Sequence, residues 1–172
     1  MIPSRAIRLL SAFLVLLSTI GCDQTTKHFA RTELSQSGST TLAGGLVQLI
    51  LSENPGAFLS LGGTLPESLR RALLTVGVSL GLTFLLAYLV RAAKLQWIVF
   101  LGLAMIWAGG MSNLIDRVLR HGLVTDFIFV QIGPLHTGIF NVADMTIVAG
   151  AILLAVSARS FKRNPEDLAA GN

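Results

Sequence analysis

The sequence predicts an all-α membrane protein: four transmembrane helices with a small extracytoplasmic β-hairpin or sheet element. Three observations carry that expectation. Of 172 residues, 52% are hydrophobic and only 13% charged, whereas a soluble domain carries about 25% charge. The apolar residues gather into four runs, 7–22, 72–90, 95–115 and 138–158. Many of the lysines and arginines lie just outside those runs.

A span needs ~20 apolar residues, and roughly 17–25 will serve. The second and third runs meet this outright. The first must borrow residues past Asp23 as far as Phe29, and the fourth reaches length only by including Asp144. The expected spans are therefore 7–29, 70–90, 95–116 and 138–159, in one domain over residues 1–163. A polar, structureless tail is expected at 164–172. Four spans put Arg5 and Arg8, Arg91 and Lys94, and Arg159, Lys162 and Arg163 on one side. The positive-inside rule makes that side cytoplasmic, with both termini inside. Arg70, Arg71, Arg117 and Arg120 fall on the other side, against the bias. Between the first two spans, residues 40–61 alternate and carry Gly44-Gly45 and Asn54-Pro55-Gly56 as turns, the pattern of a short outer hairpin.

Several function classes drop out. The net charge of +4 reflects residues flanking spans, and no basic stripe interleaved with aromatics suggests nucleic acid. Cys22 is the one cysteine, so neither an internal disulfide nor a cysteine metal cluster can form. It reads as a small buried residue. His28, His121 and His136 lack ligand spacing, so no metal and no cofactor is expected. Ser60 and Ser112 lack the setting of a serine nucleophile. Trp97 reads as an interfacial anchor and Trp107 as packing, in one order or the other.

The carboxylates are the informative residues. A charge inside a span costs about 2.5–3.5 kcal/mol on insertion scales, so it faces a cavity or a partner. Asp144 lies inside the fourth run. Asp23 closes the first, Asp116 the third, and Asp126 sits in the loop that follows. All four are expected at one depth, the outer face. Two chemistries fit: hydrolysis by a shared-proton pair, or translocation of protons or ions through the same carboxylates. A third reading takes Thr19-Ile20-Gly21-Cys22 as the end of a signal peptide and the chain as a lipid-anchored protein; three further spans oppose it.

Five segments narrow the choice: Asp23-Gln24-x-x-Lys27, Asn54-Pro55-Gly56-Ala57-Phe58, Gly109 to Arg117, Val124-Thr125-Asp126-Phe127, and Phe140-Asn141-Val142-Ala143-Asp144. In this order and on these spans they resemble the lipoprotein signal peptidases (signal peptidase II), intramembrane aspartyl proteases of bacteria. The resemblance covers all but the two ends. It implies that Asp126 and Asp144 are a catalytic dyad and that Asn54, Asn113, Arg117 and Asn141 contact substrate or inhibitor. Gly56 belongs to the same site, and Asp23, Lys27 and Asp116 support it. Arg117 could instead pair with Asp116, and Gly109 and Gly110 permit close helix packing. The implied substrate is a prolipoprotein whose cysteine carries diacylglycerol, cut on the amino side of that cysteine. The resemblance further implies a monomer in the bacterial cytoplasmic (inner) membrane, among membrane lipid, with its site near the outer face. Ser112 stands where the family usually has Gly, Thr125 where it often has Val, and Phe58 where a small residue is common. The 117–126 gap looks one residue longer than in some members. These departures bear on substrate preference.

Overall fold

The computed structural model describes residues 4–56, 64–92 and 94–169, with side chains described through residue 159. Ala57, Phe58, Ser60 and Leu61 lie outside the described residues. Among the described residues, four helices are long and apolar enough to cross a membrane. Helix α1, Arg5–Ser37, starts where the Ser4 hydroxyl accepts the Ile7 N–H. It passes through a π turn at Ala30–Leu34 and stops at Gly38, whose φ of 81° suits glycine. The apolar run ends earlier, but Ala30 and Leu34 bury against Phe127 and carry the helix onward. Helix α2 spans Glu67–Arg91 and α3 spans Trp97–Leu119.

Helix α4, Val142–Ala169, begins later than the expected 138. Residues 138–141 are not helical, and Phe140 bridges to Ile128 instead. The helix also continues to Ala169, where a structureless tail was expected. Glu166, Leu168 and Ala169 favour a helix there, against Asn164 and Pro165, which do not.

The bundle is polar inside at one end, packs Leu82, Leu89, Phe100 and Trp107 elsewhere in its interior, and is apolar outside. Leu10, Phe13, Phe84 and Ile152 are exposed, while Asp23, Lys27, Ser112 and Asp116 are buried. Lipid tails are as apolar as Leu, so helix association rests on close packing and polar contacts. Cys22 is accordingly exposed, not buried: on a lipid-facing stripe, small and apolar no longer implies inside. Helix α3 packs on each of the other three, most extensively on α4. Small residues allow it. A Cβ on Gly109 would stand 2.5 Å from the Ala143 carbonyl oxygen, one on Gly110 2.7 Å from a Leu82 methyl, and one on Gly150 2.5 Å from the Gly102 oxygen. At the far end, Arg8 is buried beneath the α2–α3 connection. It donates to the Ala92 and Leu95 carbonyls and lies over the Phe100 ring. Trp97 stacks on Phe100, and Trp107 is buried.

The non-helical part is a four-stranded antiparallel sheet in the order β1-β2-β3-β4. Strands β1 (Ser39–Leu42) and β2 (Val47–Asn54) form the expected hairpin. Its turn is Ala43–Gly45, where Gly44 and Gly45 take φ of 65° and 98°. Strand β3 (Val124–Ile132) pairs with β2 and turns into β4 (Leu135–His136). Asp126 is thus a strand residue, not a loop residue. Its β-branched and aromatic neighbours Val124, Thr125, Phe127, Ile128 and Phe129 favour a strand.

Gly150→Ala should lower the thermal midpoint in detergent, reflecting roughly 1–3 kcal/mol of overpacking. Gly21→Ala, whose added methyl meets nothing within 4 Å, should not. Equal midpoints for the two variants would contradict the close α3–α4 approach.

Candidate active site

The site begins with Lys27, one helical turn after Asp23 on the buried face of α1. Its ammonium has three protons, and three acceptors surround it. Nζ lies 2.8 Å from Asp23 Oδ2 and 3.0 Å from Asp116 Oδ2, and donates to Asn113 Oδ1 at 2.9 Å. The carboxylates then reach other elements. Asp23 Oδ1 accepts the Ala143 N–H at 2.9 Å and Oδ2 accepts the Ser112 hydroxyl at 2.7 Å. Asp116 accepts the Thr125 N–H at 3.1 Å and the Gln24 amide at 3.1 Å. One buried cation therefore fastens α1, α3, α4 and β3 together.

Asp126 and Asp144 are both held by Asn141, the residue before α4. Asn141 and Asp144 form a reciprocal N-terminal cap. The Asn141 Oδ1 accepts the Asp144 N–H at 2.9 Å, and Asp144 Oδ2 accepts the Asn141 N–H at 3.2 Å. Such a cap satisfies two donors left over at a helix start. The Asn141 amide also donates to Asp126 Oδ1 at 2.6 Å. Asn113 donates to Asp144 Oδ1 at 2.9 Å and Asn54 to Asp126 Oδ2 at 2.8 Å. Each oxygen of the two carboxylates thus receives an N–H. Asn54 is itself set by a local turn, its Oδ1 accepting the Gly56 N–H at 2.8 Å. Arg117 donates to the Gly56 carbonyl at 3.0 Å and to the Asn113 carbonyl at 3.4 Å. No ion pair joins Arg117 to Asp116 among the described residues; Lys27 takes Asp116 instead.

The structure therefore brings together Asp23, Lys27, Asn54, Gly56, Asn113, Asp116, Arg117, Asp126, Asn141 and Asp144 at one end of the bundle. Reading the sequence missed Gln24, Ser112 and Thr125 as partners in the network. The expected span 138–159 also took Asn141 into the helix, where it is the cap. An Asn three residues before an Asp at the start of an apolar run is the signal for that cap. Beside Asp144 opens a cavity of about 390 Å³ lined by His136, Thr137, Phe140, Met145 and Val148. Among the described residues, no group of three or more His, Cys, Asp or Glu is placed to hold a metal ion.

Asp126 lies on the sheet, outside the spanning helices, with 2% of its surface exposed. Burial pushes its pKa up to about 6, and the Asp144 charge pushes the same way. The Asn54 and Asn141 hydrogen bonds and the Lys27 charge oppose the rise.

The fold and this polar cluster define a membrane-embedded protein with a buried carboxylate pair at one end of four helices. A family model described as Signal peptidase (SPase) II matches residues 15–159. The lipoprotein signal peptidase of Desulforapulum autotrophicum is 38% identical over 143 residues, which cover 81% of this chain and 87% of that protein. That of Xylella fastidiosa (strain M12) is 39% identical over 142 residues, 81% of this chain and 82% of that protein. A solved bacterial membrane enzyme superposes with a TM-score of 0.74 at 23% identity, covering 89% of this chain and 90% of its own. The chain belongs to the signal peptidase II family of peptidases.

Two outcomes follow from this geometry. Lys27→Met should destabilise the protein by about 3–5 kcal/mol, because it leaves two buried carboxylates without a cation. Chemical unfolding in detergent measures it, and a variant as stable as wild type would contradict the network. For Asp126, a pKa raised on folding means that the folded state favours the protonated form. Its stabilising contribution is full below the unfolded value of 3.8 and is lost as pH rises through about 6. The midpoint of Asp126→Asn relative to wild type should therefore climb between pH 4 and 7; parallel curves would contradict the shift.

Proposed function

We propose that this protein is an aspartyl endopeptidase that removes signal peptides from diacylglyceryl-modified prolipoproteins. It cuts on the amino side of the lipidated cysteine. The observation that carries the reading is the pair Asp126 and Asp144, both buried and bridged by Asn141. Two nearby carboxylates cannot easily both ionise, so the pair holds one proton between them. The ionised member takes a proton from water, which attacks the scissile carbonyl. The protonated member polarises that carbonyl, and the pair then returns a proton to the leaving amine. The proton belongs to the pair and not to either residue alone. No covalent intermediate forms.

The remaining residues supply position. Asn54, Asn113 and Asn141 donate to the carboxylates and fix their planes, and Asn54 and Arg117 also anchor the Gly56 segment. In this reading those groups, with Arg117, also meet the substrate's peptide backbone. The cavity beside Asp144 runs from His136 and Thr137, at the end of β4, to Met145 and Val148 on α4. It would let a lipid-bound substrate approach while its acyl chains remain in the bilayer.

The basic residues 5, 8, 91, 94 and 159 favour cytoplasmic termini. That orientation places the pair at the outer face of the bacterial inner membrane, where a translocated substrate presents its cysteine. The enzyme works as a monomer in lipid, without cofactor or metal.

The test is cleavage of a diacylglyceryl-modified prolipoprotein by purified protein in detergent. Wild type should cut just before the modified cysteine. Asp126→Asn and Asp144→Asn should each lose at least ~10³-fold in kcat, as removal of one member of a catalytic unit does. Near-normal turnover by either folded variant would contradict the assignment.

A further inference from the structure

Behind the catalytic strand lies a second polar group that the mechanism above does not use. Neighbouring residues of a strand project to opposite faces, so Thr125 points away from the side on which Asp126 meets Asn54 and Asn141. It is nonetheless fully buried. Arg31 donates to the Thr125 Oγ1 at 3.1 Å, and that hydroxyl donates to Glu53 Oε1 at 3.3 Å. Glu53 is the cross-strand neighbour of Thr125, and its Oε1 lies 3.6 Å from Arg120 Nη1. Four elements meet here: the π turn of α1, strands β2 and β3, and the residue that follows α3.

Two features make this group matter to Asp126. The β2–β3 register is irregular between Leu49 and Ser52, and Ser52 is the partner of Asp126. The ladder is therefore broken on the Phe127 side of Asp126, and regular pairing holds only Asp126, Thr125 and Val124. Thr125 is in addition held from three sides: its N–H by Asp116, its carbonyl by the Asn141 amide at 3.4 Å, and its hydroxyl by Arg31 and Glu53. Arg31 itself belongs to a π turn, a rare local geometry that gathers at functional sites.

We propose that Arg31, Thr125 and Glu53 form a clamp behind β3 that positions Asp126 for hydrolysis. None of the three touches substrate; they are positioning residues, and the inference rests on the peptidase reading above.

The experiment compares turnover of the diacylglyceryl-modified prolipoprotein by wild type, Thr125→Val and Thr125→Ser, with unfolding midpoints in the same detergent. Thr125→Val, which loses both hydroxyl bonds, should lower kcat about tenfold by misplacing Asp126, with KM and midpoint unchanged. Thr125→Ser, which keeps the hydroxyl, should restore kcat. A merely structural role would move the midpoint and leave the kcat of the folded fraction alone. Glu53→Ala and Arg31→Ala, at partly solvated positions, each remove one partner of the Thr125 hydroxyl and should reproduce the kcat loss even where Thr125→Val folds poorly. Wild-type kcat in Thr125→Val or in both Ala variants would overturn the clamp, as would a Thr125→Ser as slow as Thr125→Val. An inactive wild type would remove the peptidase reading itself, a result distinct from an active wild type with indifferent variants.

Discussion

Everything at the carboxylate-bearing end of this bundle depends on one buried ammonium. Lys27 has no solvent exposure, and neither does Asp23. Desolvating charges is costly, and the pairing repays it only when every donor and acceptor is met. Here they are met by groups from different elements, so satisfying the cation also assembles the fold. Lys27 with Asp23 and Asp116 leaves one net negative charge. Asp23 places part of it against the Ala143 N–H in the first turn of α4, where the helix dipole favours an anion. The start of α4, which carries Asp144, is in this way fixed from α1.

The same residues that complete the network orient the carboxylate pair. Asn113 receives Lys27 and the Asn141 amide on its Oδ1 while donating to Asp144. Asn141 caps α4 and donates to Asp126. Asp116 receives Lys27 and holds the main chain one residue before Asp126. Support and chemistry are thus neighbours in one hydrogen-bonded set. In a membrane this arrangement has a second use, since buried polar contacts and close glycine packing replace the hydrophobic force that binds helices in water.

Much of the architecture is legible in the sequence because bilayer thickness sets helix length. The expected spans start two to four residues from the helix starts, but α1 and α4 run well past 29 and 159; Asp23, Asp116 and Asp144, expected at one depth, meet at one end of the bundle. Asp126 resisted. A carboxylate in the middle of β3 interrupts the apolar pattern and reads as a loop, although its β-branched neighbours make a strand. Asn141 and Asp144 share a spacing of three residues, which suits a helix face and a cap equally; only the bridge of Phe140 to Ile128 decides for the cap. Cys22 and Arg8 show the same inversion from opposite ends. In a lipid-solvated bundle the small apolar residue faces out and the arginine faces in. The α3 partners of Lys27, Asn113 and Asp116, and the α4 partner of Asp23, the Ala143 N–H, come from positions far along the chain, so spacing does not reveal them.

The central claim is that water, activated between Asp126 and Asp144, attacks the peptide bond directly. A single turnover in ¹⁸O-labelled water, with enzyme in excess over a diacylglyceryl-modified prolipoprotein, tests this most directly. The account predicts one ¹⁸O atom in the new carboxyl terminus of the released signal peptide and none in the peptides containing Asp126 or Asp144. Label in either aspartate, or a product carboxyl that takes its oxygen from the enzyme, would contradict it by revealing a covalent acyl-enzyme.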